Sequence, residues 1–180
     1  MCIVHLNGFV YDFIMAQIIK PPQVLPDSTR SNGPQIFLAG SIDMGQAEPW
    51  QDQVENFFSS DALILLNPRR DDWDASWEQS IEHSAFRQQV EWELDGLTQA
   101  DHILMYFAPQ SKAPITLLEL GLMASSGKLH VACPPGFWRR GNVEIVCSRF
   151  GLMLYDGLPD LLSAFKSKFQ HEFALRPEIG

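Results

Sequence analysis

The chain has 180 residues, 46% of them hydrophobic and 19% charged, enough for one domain with a sizeable core. A formal net charge of −9 and an isoelectric point near 4.9 argue against a nucleic-acid backbone or an anionic membrane surface as partner, since both would repel it. No apolar run reaches the roughly 18 residues that cross a bilayer, and Cys2, Cys133 and Cys147 show neither metal-ligand spacing nor the even number of a full disulfide framework, so a reducing cytoplasm is the expected compartment.

Residues 1–19 are mildly apolar but lack a basic leader and a small-residue cleavage site, so they do not read as a signal peptide. Met15 is a second possible start, which would make the first 14 residues an extension. Residues 21–34 carry four prolines among Ser, Asn and Gly and read as a linker. The division expected is therefore an extension and linker over 1–34 and one domain over 35–180.

Within that domain Gln35-Ile36-Phe37-Leu38-Ala39-Gly40 is a nearly continuous apolar run stopped by glycine, the pattern of a strand buried on both faces of a parallel sheet. A loop with Asp43 and Gly45 follows, then a helix over 50–60 with Trp50, Val54 and Phe57 on one face. The second strand, 62–66, ends at Asn67-Pro68 and gives way to the charged and aromatic loop Arg69-Arg70-Asp71-Asp72-Trp73-Asp74. That loop is either solvated, with its charges paired among themselves, or faces a substrate, because ligands bind at the carboxyl ends of such strands. Residues 84–99 form a helix with Phe86, Val90, Leu94 and Leu97 at core-facing spacing. A strand at 102–107, a helix at 117–126 ending at Gly127, and a strand at 129–133 come next. A short helix at 142–150, a fifth strand at 152–155 and an amphipathic helix at 158–169 complete the chain. Strands alternating with helices imply a doubly wound α/β domain of about five parallel strands, flavodoxin-like or Rossmann-like, with helices on both faces.

The residue that stands out is Glu119, an acid inside the apolar segment Pro114-Ile115-Thr116-Leu117-Leu118-Glu119-Leu120. A buried unpaired charge costs several kcal/mol, so such an acid is usually paired, capping or functional. Thr116 and Glu119 fit a capping box, with Thr116 at the N-cap. The same position near a helix N-terminus would also suit an ionised nucleophile. Glu93 is a second acid, on the 84–99 helix, and reads alone as an exposed residue of an amphipathic face. His83, His102 and His130 show no metal-type pairing, and the Gly40–Gly45 turn is no phosphate-loop or dinucleotide fingerprint.

The ordered set Phe37-Leu38-Ala39-Gly40-Ser41, Asp101, Leu118-Glu119-Leu120-Gly121 and Gly127-Lys128 resembles the nucleoside 2-deoxyribosyltransferases and their relatives. The runs from Asn67 to Trp73 and from Pro135 to Asn142 are similar to one branch of that superfamily, and the resemblance spans about 35–154. It implies transfer of a 2-deoxyribosyl group between nucleobases through a covalent ester on Glu119, with retention of configuration. It assigns the proton donor to Glu93 and sugar contact to Asn142, which in the family reaches the 5′-hydroxyl in a neighbouring subunit's site. A homo-oligomer with shared sites, a nucleoside or nucleobase as ligand, and no metal or organic cofactor are implied with it.

The chain departs from the family pattern at three places. Ala113 stands where the family's Asp-x-Gly-Thr-x-x-Glu has its aspartate, Phe37 replaces a tyrosine, and Glu93 replaces an aspartate. Asp43, Arg69, Asp71, Asp72 and Trp73 are candidates for substitute substrate contacts, with Trp73 stacking on a base and Asp72 accepting from an exocyclic amine. Phe37, Gly40, Ser41 and Thr116 complete the candidate binding set. Two further readings stay open: an N-glycosidase acting on nucleosides or their 5′-monophosphates, with Ser41, Ser111, Arg139 and Arg140 as phosphate donors, and a non-catalytic nucleotide-binding module.

Overall fold

The computed structural model describes residues 15–27, 33–42 and 49–170, together with the backbone of a hairpin formed by β1 (Ile3–Leu6) and β2 (Phe9–Asp12). The main sheet has six parallel strands: β3 (Gln17–Ile19), β4 (Gln35–Gly40), β5 (Ile64–Leu66), β6 (His102–Tyr106), β7 (Leu129–Ala132) and β8 (Leu154–Tyr155), in the spatial order β3-β5-β4-β6-β7-β8. Among the described residues five helices connect or follow them: α1 (Trp50–Phe57), α2 (Ser84–Gln99), α3 (Pro114–Met123), α4 (Arg140–Phe150) and α5 (Leu158–Phe169). This is a doubly wound α/β domain.

Alternate side chains of each strand feed the two faces of the sheet. On one face Phe37, Ala39, Ile103, Met105 and Val131 pack with Trp92 and Leu97 of α2, Leu120 of α3 and Val143 of α4. On the other, Ile36, Leu38, Leu65 and Leu104 pack with Trp50 and Val54 of α1 and Leu161 and Phe165 of α5. The central strand β4 is buried from Gln35 to Ala39, as its unbroken apolar run leads one to expect.

The sheet has six strands rather than five because β3 comes from the segment expected to be an extension. Gln17–Ile19 lies parallel to β5, with Ile19 beside Leu66. Three residues, one of them polar, are too few to give a periodic signal. The described part of the proline-rich stretch is not free either: Pro26 accepts hydrogen bonds from Gln35 and Gln99, and Gln23 accepts one from the Trp92 indole.

After the edge strand β3 the chain passes to β4, turns one way to β5, then crosses back to β6 on β4's other side. The carboxyl ends of β4 and β6 thus flank the topological switch point, where α/β sheets bind ligands. Close packing beside it depends on two glycines. A Cβ on Gly40 would lie 2.5 Å from the Tyr106 carbonyl and 2.7 Å from the Trp50 ring, and its φ of +158° is one that few side chains accept. A Cβ on Gly96 of α2 would lie 2.7 Å from the Phe37 ring. Gly96→Val is therefore expected to destabilise the protein by about 1–3 kcal/mol through overpacking, read as a lower urea midpoint at unchanged slope. An unchanged midpoint would show that α2 can move off β4 freely.

Candidate active site

Helix α3 opens differently from the expected capping box. Pro114 occupies its first position, where a missing N–H costs nothing, and Ala113 takes the N-cap place in the left-handed region at φ 44°, ψ 50°, without a side-chain cap. Thr116 is therefore the third helical residue and Glu119 the sixth, so neither has the role of the capping motif. Both side chains are buried, Glu119 at 7% exposure. The helix also ends at Met123, earlier than expected, and Gly127 lies in the turn beyond it at φ 77°.

Glu93 sits midway along α2, starting from a cap in which the His83 Nδ1 accepts from the Phe86 N–H at 3.2 Å. The helix crosses over β4, and Glu93 comes to stand close enough to Glu119 to repel its charge. Burial pushes Glu119 up to about 8, and the nearby Glu93 adds to the rise. Burial likewise pushes Glu93 up to about 7, partly opposed by a hydrogen bond from Gln89. Two acids brought from separate helices into one half-dry place, each holding its proton more tightly than usual, form a candidate acid–nucleophile pair.

The other expected residues divide. Phe37 is fully buried, its ring 6.2 Å from that of Trp92, and belongs to the core under α2. Gly40 makes room for Trp50, as above. Ser41 is buried, and its hydroxyl accepts from the Ala108 N–H at 3.1 Å while its carbonyl accepts from the Trp50 indole. It staples the carboxyl ends of β4 and β6 together. Asp43 lies outside the described residues. Ser111 is buried with no hydrogen-bond partner for its hydroxyl among the described residues. Arg140 spends its guanidinium on Glu144, Asp156 and the Cys133 carbonyl, whereas Arg139 stacks over the exposed Trp138 ring.

The loop after β5 is largely self-paired. Asp72 receives two hydrogen bonds from Arg70, which hold its carboxyl below the ordinary range, and Asp71 pairs with Lys20 at 2.9 Å. The Arg69 N–H donates to the Asn67 side chain. The Trp73 ring lies 5.1 Å from Trp77, which in turn meets His83 at 5.7 Å and Arg70 at 5.1 Å. The Trp73 indole N–H is buried without a partner among the described residues. Trp77 and His83 were not expected here. The spacing of Trp73 and Trp77 is visible in the sequence, but nothing in it says that the loop folds back on itself.

Asn142 lies in the first turn of α4 and lines an open cleft of about 310 Å³ with Leu117, Leu120, Gly121, Arg139 and Val146. Beside this cleft α3 turns Ile115, Leu118 and Leu122 outward at 55–59% exposure, and α4 turns Ile145 outward at 71%. A helix apolar on both faces usually has a neighbour on each.

Other chemistries find less support in the residues present. Burial pushes the Cys133 and Cys147 thiols up to about 12 and 11, so neither offers a thiolate. His102 and His130 pack against Phe165 and Phe169 under α5. Among the described residues there is no group of three metal-ligating side chains, and no helix is long and apolar enough to cross a membrane.

A family model described as nucleoside 2-deoxyribosyltransferase like matches residues 33–137, a stretch that contains both Glu93 and Glu119. No curated protein matches the chain.

Proposed function

The chain belongs to the nucleoside 2-deoxyribosyltransferase-like family, and from that premise we propose that it moves a 2-deoxyribosyl group between nucleobases through Glu119. Membership carries a deoxyribosyltransferase-like activity at the level of the family, with a nucleoside or nucleobase as the class of ligand. The observation that carries the finer reading is the pair formed by half-buried Glu93 and buried Glu119. One proton on the pair can leave one carboxylate to attack and one acid to protonate; in the free protein Glu119 holds it more tightly than Glu93, so the reaction needs it passed to Glu93 as the nucleoside binds.

In the first step a carboxylate oxygen of Glu119 bonds to the anomeric carbon. The bond from that carbon to the base nitrogen breaks, its electron pair stays with the base, and Glu93 supplies the proton. In the second step a nitrogen of the incoming base attacks the same carbon, its proton goes to Glu93, and the ester bond to Glu119 breaks. Two displacements at one carbon retain configuration. If water takes the place of the second base, the product is free sugar, and the same residues make a hydrolase.

The test is product analysis with a panel of 2′-deoxynucleosides, with and without a second free base. Exchange that requires the second base supports transfer, and base release that ignores it assigns hydrolysis. Ligand-dependent stabilisation without product, on nucleosides and 5′-monophosphates alike, would leave a binding module.

The reading includes a homo-oligomer in which Asn142 serves a neighbouring subunit's site. The outward apolar faces of α3 and α4, next to Asn142, support it. Leu118→Asp places a charge in that face and is expected to lower the sedimentation mass at micromolar concentration and the exchange rate with it. A variant that keeps both would remove this face from the assembly.

A further inference from the structure

Gln89 lies one turn before Glu93 on α2, so the two side chains share a face. It is buried, and its Nε2 donates twice: to the Pro68 carbonyl at 2.9 Å and to Glu93 Oε1 at 2.8 Å. The carbonyl settles which end of the amide points this way, because only the NH₂ group can donate to it. The cost is visible at the other end, where Gln89 Oε1 is buried with no partner among the described residues. A buried acceptor left alone is unfavourable, and such groups gather where a function holds them.

We propose that Gln89 is the positioning residue of the site: anchored on the Pro68 carbonyl, it aims a fixed N–H at the Glu93 carboxyl and holds that group toward Glu119. This rests on the reading of Glu93 as the proton carrier. The anchor is itself secured, since the neighbouring Asn67 is fully buried and donates to Glu55 at 2.6 Å. Gln89 thus ties the acid on α2 to the end of β5, and the acid's place does not depend on α2 alone.

The groups around Glu93 bear on its titration as follows. Burial opposes its ionisation and the Gln89 N–H favours it, while the repulsion between the two acids falls on Glu119 of α3, which holds its proton to higher pH. From the loop after β5, Arg70 is engaged with Asp72 and Gln88. Removing the Gln89 donor leaves burial unopposed, so Glu93 should hold its proton to higher pH.

The experiment uses the full chain with carboxyl-¹³C glutamate, the Glu93 resonance being assigned by its loss in Glu93→Gln. In Gln89→Met, which keeps length and volume, the Glu93 midpoint is expected to rise by about one pH unit. The alkaline limb of kcat/KM for base exchange should move with it. A role confined to packing would change stability and leave both where they are, and an unmoved midpoint overturns the proposal. If Gln89→Met fails to fold, Gln89→Leu gives the same reading. If the wild type turns over no nucleoside, the proposed reaction falls, while the carboxyl midpoint still decides whether Gln89 holds Glu93.

Discussion

Glu119→Ala is expected to lower base exchange by at least about 10³-fold, the scale on which removal of a covalent nucleophile usually acts, while the chain stays folded. Folding should survive because no hydrogen bond or ion pair ties this carboxyl to the described residues, and its charge is opposed by burial and by Glu93. The loss should fall on kcat more than on substrate affinity, since the interaction forms only as the glycosidic bond breaks. Quenching the wild type during turnover should give a protein heavier by about one deoxyribosyl group, with the label on the peptide containing Glu119. A variant that keeps a tenth of the rate, or a label on another peptide, would end the role of Glu119 as nucleophile.

Glu119→Gln should have a second large effect, on stability, and its sign follows from proton binding. Glu119 is raised from 4.5 to about 8 in the folded protein. Between these values the native state holds a proton that the unfolded chain releases. Stability from this group is thus fully present below about pH 4.5 and is lost as pH rises toward 8. Glutamine has the same shape and never ionises. The variant should match the wild type at pH 4 and exceed it by about 2–4 kcal/mol at pH 9, less than the full shift implies because the site relaxes and admits water. Thermal unfolding at both values, with fluorescence of the five tryptophans as the probe, measures the difference. Parallel melting curves at pH 9 would mean that the Glu119 carboxylate is solvated. Together the two variants would show activity and stability set against each other at one atom group.

What the sequence disclosed followed the strength of its local signals. β4 and β6 were legible because buried parallel strands are nearly continuous apolar runs, and the helices because their apolar residues recur at helical spacing. The start of α3 was misread because Thr116 and Glu119 satisfy a capping motif that Pro114, two residues before Thr116, pre-empts. Glu93 was singled out as a candidate by family resemblance and not by its own helix, since one amphipathic pattern does not say which acid faces another helix. The loop after β5 left two readings open, and Asp71 and Asp72 are found paired with Lys20 and Arg70. Gln89 gave no signal at all: a glutamine in a helix is ordinary until the Pro68 carbonyl and Glu93 are brought to it.

The short strand β3 governs where the chain can be cut. It covers the outer side of β5, whose residues Ile64, Leu65 and Leu66 are buried and apolar. A chain trimmed to begin after Lys20 would bare the N–H and C=O groups along that strand, a ready template for another copy. Such a shortened protein should form fibres or precipitate on standing, whereas one beginning at Met15 should stay in solution. On that expectation three residues at the margin of the sheet would guard against polymerisation, separate from any part in the chemistry.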